Sequence, residues 1–176
     1  MIFMKEDDAI CLNDGEDVVT FPLMQEELEL MIDDTNYFCN YINLRYESED
    51  LNNEQVVNNL KKQLAKMKED KQNNIWHAIW VVVSVKQKAI VGRINFLGTP
   101  DVTGKVQTDF YTHVPYRRRG IMTSAINLVS TFALDNGASL VEAVVQKDNL
   151  PAQKVLDNNK FEKTVNENTI VYTKGK

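Results

Sequence analysis

Cysteine and histidine are scarce in this 176-residue chain, with two of each. Cys11 and Cys39 cannot build a disulfide framework, and with two histidines they offer no zinc-finger spacing. No metal site is expected, and each cysteine reads as a small apolar packing residue. Seven glycines and four prolines are too few for a fibrous or low-complexity chain, and no internal repeat is visible. No apolar run approaches the roughly 20 residues that span a bilayer, and the longest, Ile79 to Val83, is strand length. The N-terminus turns acidic at Glu6-Asp7-Asp8 and lacks a secretory apolar region, so the chain reads as cytoplasmic, with no membrane partner. A cationic excess is missing too. Lys and Arg number 20 against 25 Asp and Glu, a net charge of −5, which argues against a nucleic-acid partner.

The 43% hydrophobic and 26% charged content is that of a globular protein, and the length suits one domain over residues 1–176. Asn13-Asp14-Gly15 is a turn candidate. Val18–Phe21 reads as a short strand ended by Pro22, followed by an amphipathic helix from Leu23 to Asp33. Tyr37–Ile42 fits helix or loop equally well. Asn52 or Asn53 caps a helix running to about Asp70, with Val56, Val57, Leu60, Leu64 and Met67 at helical spacing and lysines on the solvated side. Three strands follow, Ile75–Lys86, Ala89–Leu97 and Lys105–Val114, which pair as an antiparallel meander. A further strand spans Leu140–Val145 after a helix stop at Asn136-Gly137, and Phe161–Val165 with Thr169–Thr173 closes the chain as a hairpin. The crossover from the third meander strand through a helix to Leu140 favours parallel pairing.

The chain is organised around residues 108–125. A β-branched and aromatic strand breaks at Pro115, three arginines (Arg117, Arg118, Arg119) lead into Gly120, and a helix then places Ile121, Ala125, Leu128, Val129, Phe132 and Ala133 on one face. A glycine at a strand-to-helix turn lets several amide N–H groups converge, and the helix N-terminus adds its own unpaired donors and positive dipole end. That is a site for a phosphate or pyrophosphate.

Arg117-x-x-Gly120-x-Met122 resembles the acyl-CoA signature of the GCN5-related N-acetyltransferase (GNAT) superfamily, with Met122 in place of the last small residue. This variation resembles the branch that acetylates ribosomal-protein N-termini. A second stretch carries the same likeness: Asn149, Ala152, Val155, Leu156 and Phe161 match the family's later strand–Asn–helix pattern, with Lys160 where glycine is usual. The likeness covers residues 75–173 as a cofactor-binding core and 17–33 loosely, with a variable acceptor-side segment at about 34–74. It implies an α/β fold, mixed α+β: a mostly antiparallel sheet of about six to seven strands, splayed at a cofactor cleft and flanked by about four helices.

The resemblance further implies acetyl-CoA as co-substrate. Its diphosphate would rest on the amides of Arg119, Gly120, Ile121, Met122 and Thr123, and one arginine of the triplet, Arg118 among them, would meet the adenosine 3′-phosphate or solvent. The pantetheine would pair with backbone groups near His113 and Val114, opposite Asn149. Acetyl transfer to an amine needs a base, a carbonyl polariser and a proton for the leaving thiolate. An amide near Val114 is the expected polariser. Strand alternation puts Gln107, Asp109, Tyr111 and His113 on one side, so Asp109 is the first candidate base and Glu142, on the next strand, the second. The family's acid tyrosine is absent, since Val155, Leu156 and Asp157 occupy its helix, and Ala152 replaces the serine alternative. Tyr111 and Tyr172 remain as candidate acids, and neither cysteine lies near the motifs, which favours direct attack. The leading expectation is an N-acetyltransferase acting on a small-molecule amine or a protein N-terminus, as monomer or homodimer. A non-catalytic acyl-CoA sensor of the same fold is the alternative. Tyr37, Phe38, Tyr41 and Trp76, in an acidic chain, suit a cationic acceptor.

Overall fold

The computed structural model describes residues 10–46 and 52–176; the first nine residues of the sequence, on which the leader reading rests, lie outside them. Among the described residues nine strands form one mixed sheet. They are β1 (Leu12–Asn13), β2 (Val18–Leu23), β3 (Arg45–Tyr46), β4 (Ile79–Ser84), β5 (Ala89–Phe96), β6 (Lys105–Thr112), β7 (Leu140–Gln146), β8 (Glu162–Val165) and β9 (Thr169–Gly175). Six helices flank it: α1 (Gln25–Asp33), α2 (Thr35–Ile42), α3 (Glu54–Glu69), α4 (Asn74–His77), α5 (Ile121–Asp135) and α6 (Leu150–Asn158). The sheet order is β1-β2-β4-β5-β6-β7-β9-β8, with β3 added in parallel along β5. Pairing is antiparallel except at β3–β5 and β6–β7. The architecture is therefore the mixed α/β one expected, with more strands and helices than the sequence suggested, the surplus including the two-residue strands β1 and β3 and the one-turn helix α4.

Several boundaries differ from expectation: β6 ends at Thr112 rather than Val114, and β7 and β9 run on to Gln146 and Gly175. Pro22 does not end its strand: β2 runs on to Leu23, with Pro22 opposite Trp80. Among the described residues β1 pairs with β2 only at Val19 and Thr20, so Pro22 lies where no outer ladder needs its missing N–H. Residues 75–77 form helix rather than strand, because Asn74–His77 complete a helical turn and β4 begins only at Ile79. The aromatic stretch left open is helix, capped where the Asp34 carboxylate accepts from the Tyr37 N–H at 2.9 Å. Asn53, one of the two proposed caps, accepts from Gln55 and Val56.

Strand alternation sends side chains to two cores. On one side α5 and α6 cover Val82, Ile94, Phe96, Val106, Val141, Ala143 and Tyr172, with Trp80 wholly buried against Phe96 and Phe132. On the other, α1, α2 and α3 cover Phe21, Leu23, Ile79, Val81 and Val83. Phe38 and Trp76 belong to these cores, which leaves only Tyr37 and Tyr41 of the four aromatics exposed. Cys39 packs against the second core, where burial pushes its thiol pKa up, whereas Cys11 is exposed rather than packed.

The feature that positions the site is a fork in the sheet. β6 and β7 pair only from Lys105–Leu140 to Gln107–Glu142. Beyond that point β6 stays with β5 through Thr112 and β7 stays with β9 through Gln146, so the two halves part.

Lys160, standing where the resembled pattern has glycine, keeps the left-handed backbone at φ 58°. An L side chain in that region costs about 1–2 kcal/mol. Lys160→Gly is expected to raise the melting temperature by about 2–4 °C, after the glycine's own entropic cost. A calorimetric scan showing no change or a fall would refute the strain.

Candidate active site

Gly120 caps α5 with φ 76°, in the left-handed region that a glycine adopts without strain. It has no side chain to fill the cap, and open space lies where its Cβ would point. The first helical bond of α5 runs from Ser124 N–H to Gly120 O at 3.1 Å. The N–H groups of Ile121, Met122 and Thr123 therefore have no acceptor within the helix. Arg118, at φ 62°, adds a second left-handed residue just before Gly120. Among the described residues the N–H groups of Arg118, Arg119 and Gly120 likewise meet no backbone acceptor. A concave run of donors at the positive end of a 15-residue helix is an anion cradle.

The three arginines divide the work unequally. Arg117 Nε donates to Thr112 O at 2.9 Å, and its guanidinium lies 5.4 Å from the Tyr111 ring centre. Arg119 donates to Pro115 O and lies over Tyr116. Arg118 makes no such contact among the described residues and is exposed.

From the cradle an unpaired strand edge leads into the fork. His113 N–H donates to Val91 O, and Leu97 N–H to Gln107 O. With the β5–β6 register unbroken from Gly92–Thr112 to Phe96–Thr108, the backbone groups of Gln107, Asp109, Tyr111 and His113 face β5. Those of Phe110 and Thr112 face the gap; Val114 follows in a turn, and its C=O accepts from Arg117 N–H at 3.3 Å. His113 is engaged within the fold: its N–H and C=O are bonded to Val91 and Tyr116, and its ring is buried beside Tyr46 and Tyr111. Val114, exposed and with its N–H unengaged by the backbone, lies beside the open edge of Thr112 and Phe110.

Asn149 stands across the gap at the start of α6, its Oδ1 accepting from Ala152 N–H at 3.3 Å. Asn159 is a participant that spacing alone did not reveal. It is buried, and its Nδ2 donates to Thr123 O at 3.0 Å and Val155 O at 2.9 Å, tying the end of α6 to the first turn of α5. Only its place beside Lys160 and Phe161 hinted at a role.

The face of β6 turned away from α5 carries Asp109 and Tyr111, as alternation predicts, because the β-bulge falls on β5 beside Val91 and leaves the β6 phase intact. Asp109 is exposed and accepts one hydrogen bond, from Asn95 Nδ2 to Oδ1 at 2.9 Å. Glu142 closes the fork, mostly buried, with Lys105 Nζ and Gln107 Nε2 each 3.4 Å away. Tyr111 lies beside the guanidinium of Arg93, 5.0 Å from its ring centre, and that of Arg117. Tyr172 is fully buried; burial pushes its phenol pKa up and the Asp157 charge raises it further, so it serves the core. Among the described residues no cluster of His, Cys, Asp and Glu could hold a metal ion, and no helix is long and apolar enough to cross a membrane.

Residues 20–162 match the family model of the GNAT acetyltransferase domain. The chain belongs to the GNAT family. An uncharacterised N-acetyltransferase of Bacillus subtilis, YjdG, is 34% identical over 79 residues, a match that spans 44% of this chain and 47%, about half, of the relative. Solved structures resemble it over nearly all their length at low identity. The ribosomal-protein-S5-alanine acetyltransferase of Vibrio fischeri has a TM-score of 0.65 at 15% identity, covering 94% of this chain and 96% of that one. The microcin C7 self-immunity acetyltransferase MccE, solved with acetyl-CoA and AMP, gives 0.62 at 15%, covering 93% and 94%. The ribosomal L7/L12 acetyltransferase RimL, solved with coenzyme A, gives 0.64 at 9%, covering 94% and 98%. At these identities the likeness is one of fold.

Proposed function

We propose that this GNAT protein transfers an acetyl group from acetyl-CoA to a primary amine by direct attack. The observation that carries the reading is the continuity of the donor cradle at Arg119–Thr123 with the β6 edge that leads from it into the fork, which no described strand pairs and on which Thr112 O meets only the Arg117 side chain. A diphosphate on the cradle places the pantetheine arm along Val114, Thr112 and Phe110, pairing as an added strand would. Asn149 orients the arm from the other bank, and Arg118 takes the adenosine 3′-phosphate. The thioester then reaches the level of Phe110, where an edge N–H polarises its carbonyl.

The amine approaches from the opposite face, because the α5 side is filled by packed side chains. Asp109 is the base: one carboxylate oxygen is steadied by Asn95 and the other is open to the amine or to a bridging water. Glu142, already engaged by Lys105 and Gln107, positions the fork and does not take the proton. Tyr111 borders the acceptor and is the nearest candidate to protonate the departing thiolate.

Release of thiol from acetyl-CoA, followed over a panel of amines and N-terminal peptides, tests the reading. Asp109→Asn is expected to lower kcat by about a hundredfold with CoA affinity and melting temperature unchanged. An unaltered kcat would remove Asp109 as the base. Tight CoA binding with no turnover on any amine would overturn the enzymatic reading in favour of an acyl-CoA sensor.

A further inference from the structure

Resting on that reading, we infer that Asn159 is a positioning residue for the cofactor: its side chain holds the first turn of α5 folded, so that the donors of the cradle converge before coenzyme A arrives.

The need for such a tie is visible in how α5 begins. Asp34, Asn53 and Asn149 cap α2, α3 and α6 with side-chain oxygens, and Glu27 closes the start of α1 by accepting from Met24 N–H at 2.9 Å. α5 has neither device. Its cap is Gly120, no described side chain accepts from its open donors, and its first turn carries no acidic residue. A cap would satisfy those donors and withhold them from a ligand. Without one, the turn lacks what ordinarily keeps a helix end from fraying.

The hold comes from the other side of the helix. Asn159 is buried, and its Nδ2 donates to Thr123 O at 3.0 Å and to Val155 O at 2.9 Å. Both neighbours are carbonyls, so the amide is obliged to present its nitrogen, which has one hydrogen for each. The Asn159 backbone N–H is itself bonded, at 3.2 Å to Val155 O and 3.1 Å to Leu156 O, which anchors the side chain to α6. Thr123 O shares its peptide unit with Ser124 N–H, the group that makes the first helical bond of α5, to Gly120 O at 3.1 Å. To unwind that turn the chain would break the Ser124 bond and draw Thr123 O away from Asn159, leaving a buried N–H without its acceptor. The same tie joins the two banks of the cleft. α6 begins at its cap Asn149 and ends on α5 through Asn159, so the diphosphate cradle and the pantetheine bank are held at one separation.

A preformed cradle binds more tightly than one that must order itself around the ligand, because apparent affinity scales with the fraction already competent. Isothermal titration of the whole protein with coenzyme A tests this. Asn159→Leu, close in volume and without a donor, and Asn159→Ala, which covers the case where leucine does not fit, are each expected to weaken CoA binding about five- to tenfold. KM for acetyl-CoA should rise by the same factor, with kcat at saturating acetyl-CoA within about twofold of the unaltered value. Amide hydrogen exchange at Ser124 and Ala125 should quicken in the free variants and slow again once CoA saturates them. Asn158→Gly supplies the comparison, since it loosens the same end of α6 while Asn158 is exposed and, among the described residues, bonds nothing on α5. It should lower the melting temperature yet keep CoA affinity within about twofold. Equal CoA affinity in the unaltered protein and both Asn159 variants would overturn the inference and leave the proposed function standing. So would a loss in Asn158→Gly as large as theirs, or exchange that quickens across α6 and β8 and not in α5. An unaltered protein that binds no CoA would end the proposed function, and this inference with it.

Discussion

The Gly120→Glu protein is expected to lose CoA affinity by at least about a hundredfold while staying folded. Two effects add. The left-handed backbone at φ 76° costs a side-chain-bearing residue about 1–2 kcal/mol, which alone lowers the melting temperature by only a few degrees in a chain of this size. The larger effect is electrostatic. A Cβ at Gly120 meets open space, so the glutamate is free to turn back onto the donors of Ile121, Met122 and Thr123. Its carboxylate would satisfy as a cap the groups that otherwise hold the diphosphate, and would repel the phosphates besides. Gly120→Ala separates the two contributions. It carries the backbone strain without the charge and should keep CoA affinity within about tenfold. Isothermal titration of both proteins with CoA decides the matter, and equal affinities in Gly120→Glu and the unaltered protein would end the cradle assignment.

Gly92→Ala should cost stability directly, by about 3 kcal/mol, or roughly 6–12 °C in melting temperature. A methyl at that position would lie 2.4 Å from Tyr111 O and 3.0 Å from Met122 Cε. The first neighbour is backbone in the β5–β6 ladder and cannot swing aside, unlike the flexible end of a methionine. Relief requires β6 to move away from β5 at Thr112, the residue paired with Gly92. The strand that displaces is the one bearing Asp109 and Tyr111 and bordering the pantetheine edge, so kcat should fall along with stability. Urea unfolding with an unchanged midpoint would show that the contact relaxes freely, contrary to this account.

Both glycines show how far the residues could be read unaided. Gly120 was legible because its place between an arginine run and a helix-period pattern marks a turn and a bare N-terminus at once, and local chemistry needs nothing more. Gly92 looked like one more residue in a β-rich run. Its importance arises from Tyr111 O and Met122, some 20 and 30 residues further along, which only folding brings near. His113 and Asn159 divide in the same manner. The strand containing His113 could be foreseen, but the direction of its N–H depends on which partner strand bonds it, and that is a property of the register with β5. Asn159 bonds to a carbonyl 36 residues earlier, a relation with no periodic trace.

Local and periodic signals therefore determined the strand–turn–helix around Gly120, the capped helices at Asn53 and Asn149, and the face on which Asp109 and Tyr111 lie, because each depends on neighbours within one or two turns of chain. The tertiary structure alone decided where the sheet forks, which edge of β6 is left bare, and that Arg93 and Arg117 converge on one tyrosine. Those facts follow from pairings between distant strands, and the free energy that selects among such pairings resides in the packed cores rather than in any segment of sequence.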